Sequence, residues 1–164
     1  MAAKRNPWNR GFSLIEGMVV LVILGIVLAT AIPNFASSNK RRKVQSAATT
    51  LSARLQMARQ STVAKRVPHR VILHRPRHAY WIERQDTDST WIRFPDEEYV
   101  LPQGVNWSVS AGGLGTNIDV EFEPRGTVLA EDVPLAVTFM NAAGDTFFLS
   151  LVRTGRVMVR PGAP

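Results

Sequence analysis

Glu16 is the side chain whose position demands a chemical explanation. It is the one charged residue in residues 11–33, GFSLIEGMVVLVILGIVLATAIP, an otherwise apolar stretch. An unpaired carboxylate inside a membrane span costs roughly 2.5–3.5 kcal/mol on insertion scales, so a carboxylate kept there has a partner. A cut between Gly11 and Phe12 supplies one. The new α-amine of Phe12 stands one helical turn from Glu16, and the two charges offset each other. That is chemistry done to this chain, a peptide cleavage followed by charge pairing, rather than chemistry done by it.

The other reactive side chains form no catalytic set. His69, His74 and His78 could offer three imidazoles to zinc. Their spacings of 5 and 4 place His69 and His74 on opposite faces of a continuous strand, so no metal site is expected. Asp86, Asp88, Asp96, Glu97 and Glu98 lack the spacing of a calcium loop and read as a solvated loop. There is no Gly-x-Ser-x-Gly, no His-Glu-x-x-His and no phosphate loop. The chain has no cysteine, which excludes disulfides and cysteine-ligated metals. The expectation is a non-enzyme without a cofactor.

Gly11-Phe12-Ser13-Leu14-Ile15-Glu16 resembles the prepilin processing site of type IV pilins and type II secretion pseudopilins. Lys4, Arg5 and Arg10 form a short basic leader before it, and Gly25 and Pro33 also fall where the family's pattern places them. The resemblance implies that a prepilin peptidase cuts after Gly11 and methylates the amine of Phe12. It also implies that Glu16 serves assembly by pairing with the terminal amine of a neighbouring subunit. It covers about the first fifth of the chain.

Two other readings compete for the same segment. An ordinary secretory signal has a shorter apolar core and an A-x-A-like cleavage site, and Ala29-Thr30-Ala31 could serve as one. Release at Ala31 would yield a secreted soluble β-domain. An ordinary membrane anchor is oriented by flanking positive charge. Here Lys4, Arg5 and Arg10 on one side face Lys40, Arg41, Arg42 and Lys43 on the other, which leaves that rule undecided. The prepilin reading alone explains both Gly11 and Glu16. Lys40–Lys43 reads as a collar at the lipid phosphates. The formal charge of +7 falls to +4 once the three basic leader residues leave, so whole-chain charge is a weak argument for nucleic acid.

The elements that position these residues follow from periodicity. Residues 1–11 are the leader, and residues 12–32 form one span, since about 20 residues at 1.5 Å each match a hydrocarbon core of about 30 Å. Residues 33–66 continue the helix as an amphipathic segment, with a kink at Gly25 and Pro33. Val44, Ala48, Leu51, Leu55, Ala58 and Thr62 lie on one helical stripe, while Arg41, Lys43, Gln45, Arg54, Gln56 and Arg59 fall largely off it. The helix ends near Lys65 or Arg66, before Val67-Pro68.

Residues 67–164 change to a period of 2. Strands are expected at 71–73, 80–82, 91–94, 105–109, 118–122, 135–139, 146–152 and 157–159. Residues 141–145 form a hairpin loop, Thr154-Gly155 a second turn, and residues 111–115 a flexible loop. The fold class is α+β: a long N-terminal membrane-spanning helix, the pilin lollipop, packed on a C-terminal antiparallel β-sheet head.

This body is similar to the H-type minor pseudopilins and their FimT-like relatives (GspH/FimT-like). The similarity rests on Ala53-Arg54-Leu55-Gln56-Met57-Ala58-Arg59, on the Phe122-Glu123-Pro124-Arg125-Gly126 turn and on Thr154-Gly155-Arg156-Val157. It implies a minor pseudopilin of a type II secretion system, held in the bacterial inner membrane by a single pass. The N-terminus would be cytoplasmic and the head periplasmic. The implied partners are the prepilin peptidase, other major and minor pseudopilins or pilins, and inner-membrane lipid. The alternative is a FimT-like minor type IV pilin that binds DNA for natural transformation. Some FimT-like proteins do so through a Gly-Arg-x-Arg element. Here Arg153, Arg156 and Arg160 are the candidates, with Val157-Met158 after Gly155-Arg156. Arg70, Arg75 and Arg77 add charge in the first strand region.

Overall fold

The computed structural model describes residues 12–94, 98–110, 116–129 and 133–162, and only the backbone of residues 29–37. The predicted leader at 1–11 and the loop at 111–115 lie outside the described residues, as do Asp96 and Glu97.

One helix, α1, spans Leu14–Lys65. Its start is set by Ser13, whose Oγ accepts a hydrogen bond from the Glu16 N–H at 3.2 Å. A serine side chain in this position satisfies one of the amide donors that every helix start leaves without a partner. Helical backbone runs through Gly25 and Pro33 without a break. It stops at Lys65, and Arg66 turns the chain with a φ of 55° just ahead of Pro68.

The chain divides into two compact units, residues 1–39 and 40–164. In the first, the side chains from Phe12 to Leu28 are almost all exposed. In the second, the stripe expected from periodicity is buried: Val44, Ala48, Leu51, Leu55, Ala58 and Thr62 are each at most 1% exposed. Thr62 is admitted because its hydroxyl donates to the Ala58 carbonyl at 2.9 Å, which satisfies a polar group that would otherwise be costly to bury.

Among the described residues nine strands follow: β1 (His69–His74), β2 (Ala79–Gln85), β3 (Trp91–Arg93), β4 (Tyr99–Val100), β5 (Val105–Ser110), β6 (Asn117–Phe122), β7 (Leu135–Asn141), β8 (Thr146–Leu151) and β9 (Val157–Pro161). They form two antiparallel sheets. One has the order β3-β2-β1-β6, with β4 added beside β2, and the other has the order β5-β7-β8-β9. Strand β4 has two residues, too few to show a period in the sequence. The inner faces of both sheets and the helix stripe share one core, with Phe122, Phe139, Leu73, Leu135, Leu149 and Leu151 among its fully buried side chains.

The hairpin between β7 and β8 is closed by Asn141. Its Oδ1 accepts from the Ala143 and Asp145 amides, both at 3.0 Å, and its Nδ2 donates to Asp145 Oδ2 at 2.9 Å. Gly144, at φ 86°, takes the left-handed position in this turn, which other residues reach only with strain.

Candidate functional site

At the N-terminal end, Phe12 and Ser13 precede the helix and Glu16 sits in its first turn. Gly11 lies outside the described residues. The Glu16 carboxylate is exposed, and from Leu14 to Leu28 the large apolar side chains are 50–83% exposed. A continuous apolar surface of that length marks a place where lipid or another protein belongs. Among the described residues no helix is long and apolar enough to cross a membrane.

The second unit brings together three segments that are distant in sequence. Arg59, off the helical stripe, donates from Nε to the Gly126 carbonyl at 2.9 Å. Gly126 lies in the turn after β6 and Gly155 in the turn between β8 and β9, with φ of 80° and 74°. A Cβ on Gly155 would stand 2.5 Å from the Gly126 carbonyl oxygen and 2.6 Å from Arg59 Nε. Both turns therefore need glycine, for conformation and for space. The Val128 amide donates to the Arg153 carbonyl at 2.9 Å and fastens the same two segments beside it. The residues that carry the H-type resemblance are thus in contact with one another. The periodicity puts Arg59 off the buried stripe, where the structure leaves it exposed and gives its Nε a backbone acceptor.

The C-terminal arginines are all exposed. Arg153 and Arg156 flank Gly155, and Arg160 is in β9. Arg160 pairs across the strands with Phe148, which is 46% exposed, so both project from the outer face of the four-stranded sheet. The arginines of the first strand region behave differently. Arg70 is held between Glu83 at 2.6 Å and Asp119 at 3.0 Å, and its guanidinium lies 4.3 Å over the Trp91 ring. Arg93 bonds Glu98 at 2.7 Å and covers Trp81. Arg70 therefore does not belong to a free basic face. Register sets Glu83 directly across from it on β2 and puts Asp119 diagonally across on β6, two residues from its partner Glu121, and a linear reading cannot show that.

The histidines do not converge. Among the described residues no three metal-binding side chains gather. His69 is buried and stacks on Phe94, whereas His74 lies near Trp81 on the other face. His69 Nδ1 donates to the Val67 carbonyl at 2.7 Å, which leaves Nε2 bare and without a partner in the core. Burial lowers the pKa of this imidazole below its ordinary value, against the raising effect of the Val67 bond. Tyr80, in the aromatic cluster with Tyr99 and Trp107, is pushed up to about 12 by burial.

Residues 9–32 match the family described as the prokaryotic N-terminal methylation motif. The type IV major pilin protein PilA of Myxococcus xanthus (strain DK1622) is 54% identical over 48 residues, which are 29% of this chain and 22% of that protein. The match thus spans less than a quarter of the pilin's length. Among solved structures, the minor pseudopilin EpsH from the type 2 secretion system of Vibrio cholerae aligns with a TM-score of 0.61 at 10% identity, over 73% of this chain and 97% of EpsH. The type IV minor pilin FimU of Pseudomonas aeruginosa (strain PAO1) aligns with a TM-score of 0.55 at 20% identity, over 74% and 90%. The chain carries an N-terminal methylation motif and has a type IV pilin-like α+β fold.

Proposed function

We propose that the chain is a minor pseudopilin, a structural subunit of a type II secretion pseudopilus that works in protein export across the outer membrane. The observation that carries this reading is the pairing of a methylation motif at 9–32 with a globular unit of EpsH-like fold. In this reading the prepilin peptidase cuts between Gly11 and Phe12 and methylates the Phe12 amine. Residues 12–32 then hold the subunit in the inner membrane, with the head in the periplasm, until assembly transfers the apolar segment to sister helices. Glu16 neutralises the terminal amine of a neighbour, and Gly25 and Pro33 let the helix bend within the shaft. The globular unit meets other minor subunits at the filament tip.

Deletion of the gene tests ownership. Lost export of a type II substrate with intact pili is the expected result. Normal export with lost piliation overturns it and assigns the subunit to the type IV pilus.

One observation favours a second reading, a FimT-like minor type IV pilin that binds DNA. Arg153, Arg156 and Arg160 are exposed together on one hairpin. A DNA titration at two salt concentrations tests this reading and is developed below.

A further inference from the structure

The basic run Lys40-Arg41-Arg42-Lys43 is not uniform in three dimensions. Lys40 and Lys43 are three residues apart on α1 and therefore share a face. Val44, next in the chain, is fully buried and fixes how the helix is turned. As a result Lys40 and Lys43 line a groove of about 300 Å³ together with Gln103, Asn141, Ala142 and Ala143. Arg41 and Arg42 do not line it.

The rim of this groove is built. Asn141 holds the β7–β8 turn through the bonds described above, and its Nδ2 engages the Asp145 carboxylate. Among the described residues no acidic residue lines the groove. Among the described residues neither lysine has an ion-pair partner. Two unpaired ammonium groups beside a carboxamide and a backbone loop suit a compact anion with several acceptor oxygens, and lysine binds phosphate well as a point charge.

We propose that this groove binds the phosphate of an anionic phospholipid headgroup. The lipid source, rather than free phosphate, follows from the position in the chain. Lys40 follows Ile32, the end of the apolar segment, by only eight residues of sequence. Basic residues close after an apolar segment are attracted to the negative surface of an anionic leaflet. The inference rests on the membrane-anchored reading above.

The test uses the full chain in a non-ionic detergent, with native mass spectrometry counting retained phosphatidylglycerol against phosphatidylcholine. Wild type should retain phosphatidylglycerol in preference. The Lys40→Gln/Lys43→Gln double variant should lose about thirtyfold of that preference, as expected for two charges of this size. Arg41→Gln/Arg42→Gln removes the same charge from outside the groove and, because exposed charges away from the contact are screened, should stay within about twofold of wild type. Equal losses in the two variants, or no preference in wild type, would overturn the site. Displacement of the lipid by glycerol 3-phosphate as readily as by short-chain phosphatidylglycerol would overturn the lipid source. Failure of the anchored reading shows separately, as a chain that stays in solution without detergent. In that case the two variant pairs still test the groove, with glycerol 3-phosphate as the probe.

Discussion

Arg59 Nε reaches the carbonyl oxygen of Gly126 at 2.9 Å, across 67 residues of sequence. This contact joins the helix to the β6 turn, and Gly155 closes over it from the last hairpin. Three loosely connected segments are thereby set in one geometry.

That geometry predicts an order of stabilities. Gly155→Ala combines a left-handed backbone with contact against a carbonyl, and should cost about 3 kcal/mol. Gly104→Ala shares the positive φ but has nothing within 4 Å of its Cβ, and should cost about 1 kcal/mol. Arg59→Ala, at an exposed helix position, should cost about 1 kcal/mol. Thermal unfolding of the full chain in detergent, followed by tryptophan fluorescence, reads all three. Equal costs for the two glycine variants would show that the close approach at Gly155 is not felt.

Stability should fall in mild acid because of His69. Its folded pKa is lowered by burial, so the unfolded chain binds more protons between that value and the ordinary 6.5. The contribution is complete above about 6.5 and is lost as pH drops below it. The physical cost is a proton on Nε2, which has no acceptor in the core. His69→Gln should flatten the difference in melting temperature between pH 7.5 and 5.5; an unchanged difference would place the acid sensitivity elsewhere.

Glu16→Leu should separate processing from assembly. Mass spectrometry should find the variant in the membrane fraction, shortened by residues 1–11, while sheared filaments lack it. Normal incorporation into filaments would count against charge pairing as the assembly step. A variant that keeps its leader would instead place Glu16 in recognition by the peptidase.

DNA binding, in the second reading, should be confined to the C-terminal hairpin. Wild-type affinity should weaken with salt, and Arg156→Ala/Arg160→Ala should reduce the salt slope by about 2. Arg70→Ala should lower stability and leave the slope unchanged, because Glu83 and Asp119 already hold that guanidinium. Absence of any salt-dependent binding at low ionic strength would remove the DNA reading.

The helix was legible from the sequence because its stripe is long and strictly periodic. Every residue placed on it, from Val44 to Thr62, is buried. The main strands were legible for the same reason: Ile118, Val120 and Phe122 alternate inward as their spacing implies. What stayed hidden depends on register between distant segments. Arg70 and Arg160 look alike in the sequence, yet one lies between two carboxylates and the other beside an exposed phenylalanine. The roles of Arg59 and of the paired glycines needed the helix and two turns to be placed at once. The division of Lys40–Lys43 into two faces was within reach, because the helical period that located Val44 also separates its neighbours.

The hydroxyl of Ser13 has one further consequence. Ser13 and the whole of α1 lie on the C-terminal side of Gly11, so the proposed cut would leave α1 and its cap intact. The peptidase would free a part already in its final form, and the same event would give that part a positive end. Maturation would then be a change of charge and length alone, with no refolding of the helix between synthesis and use.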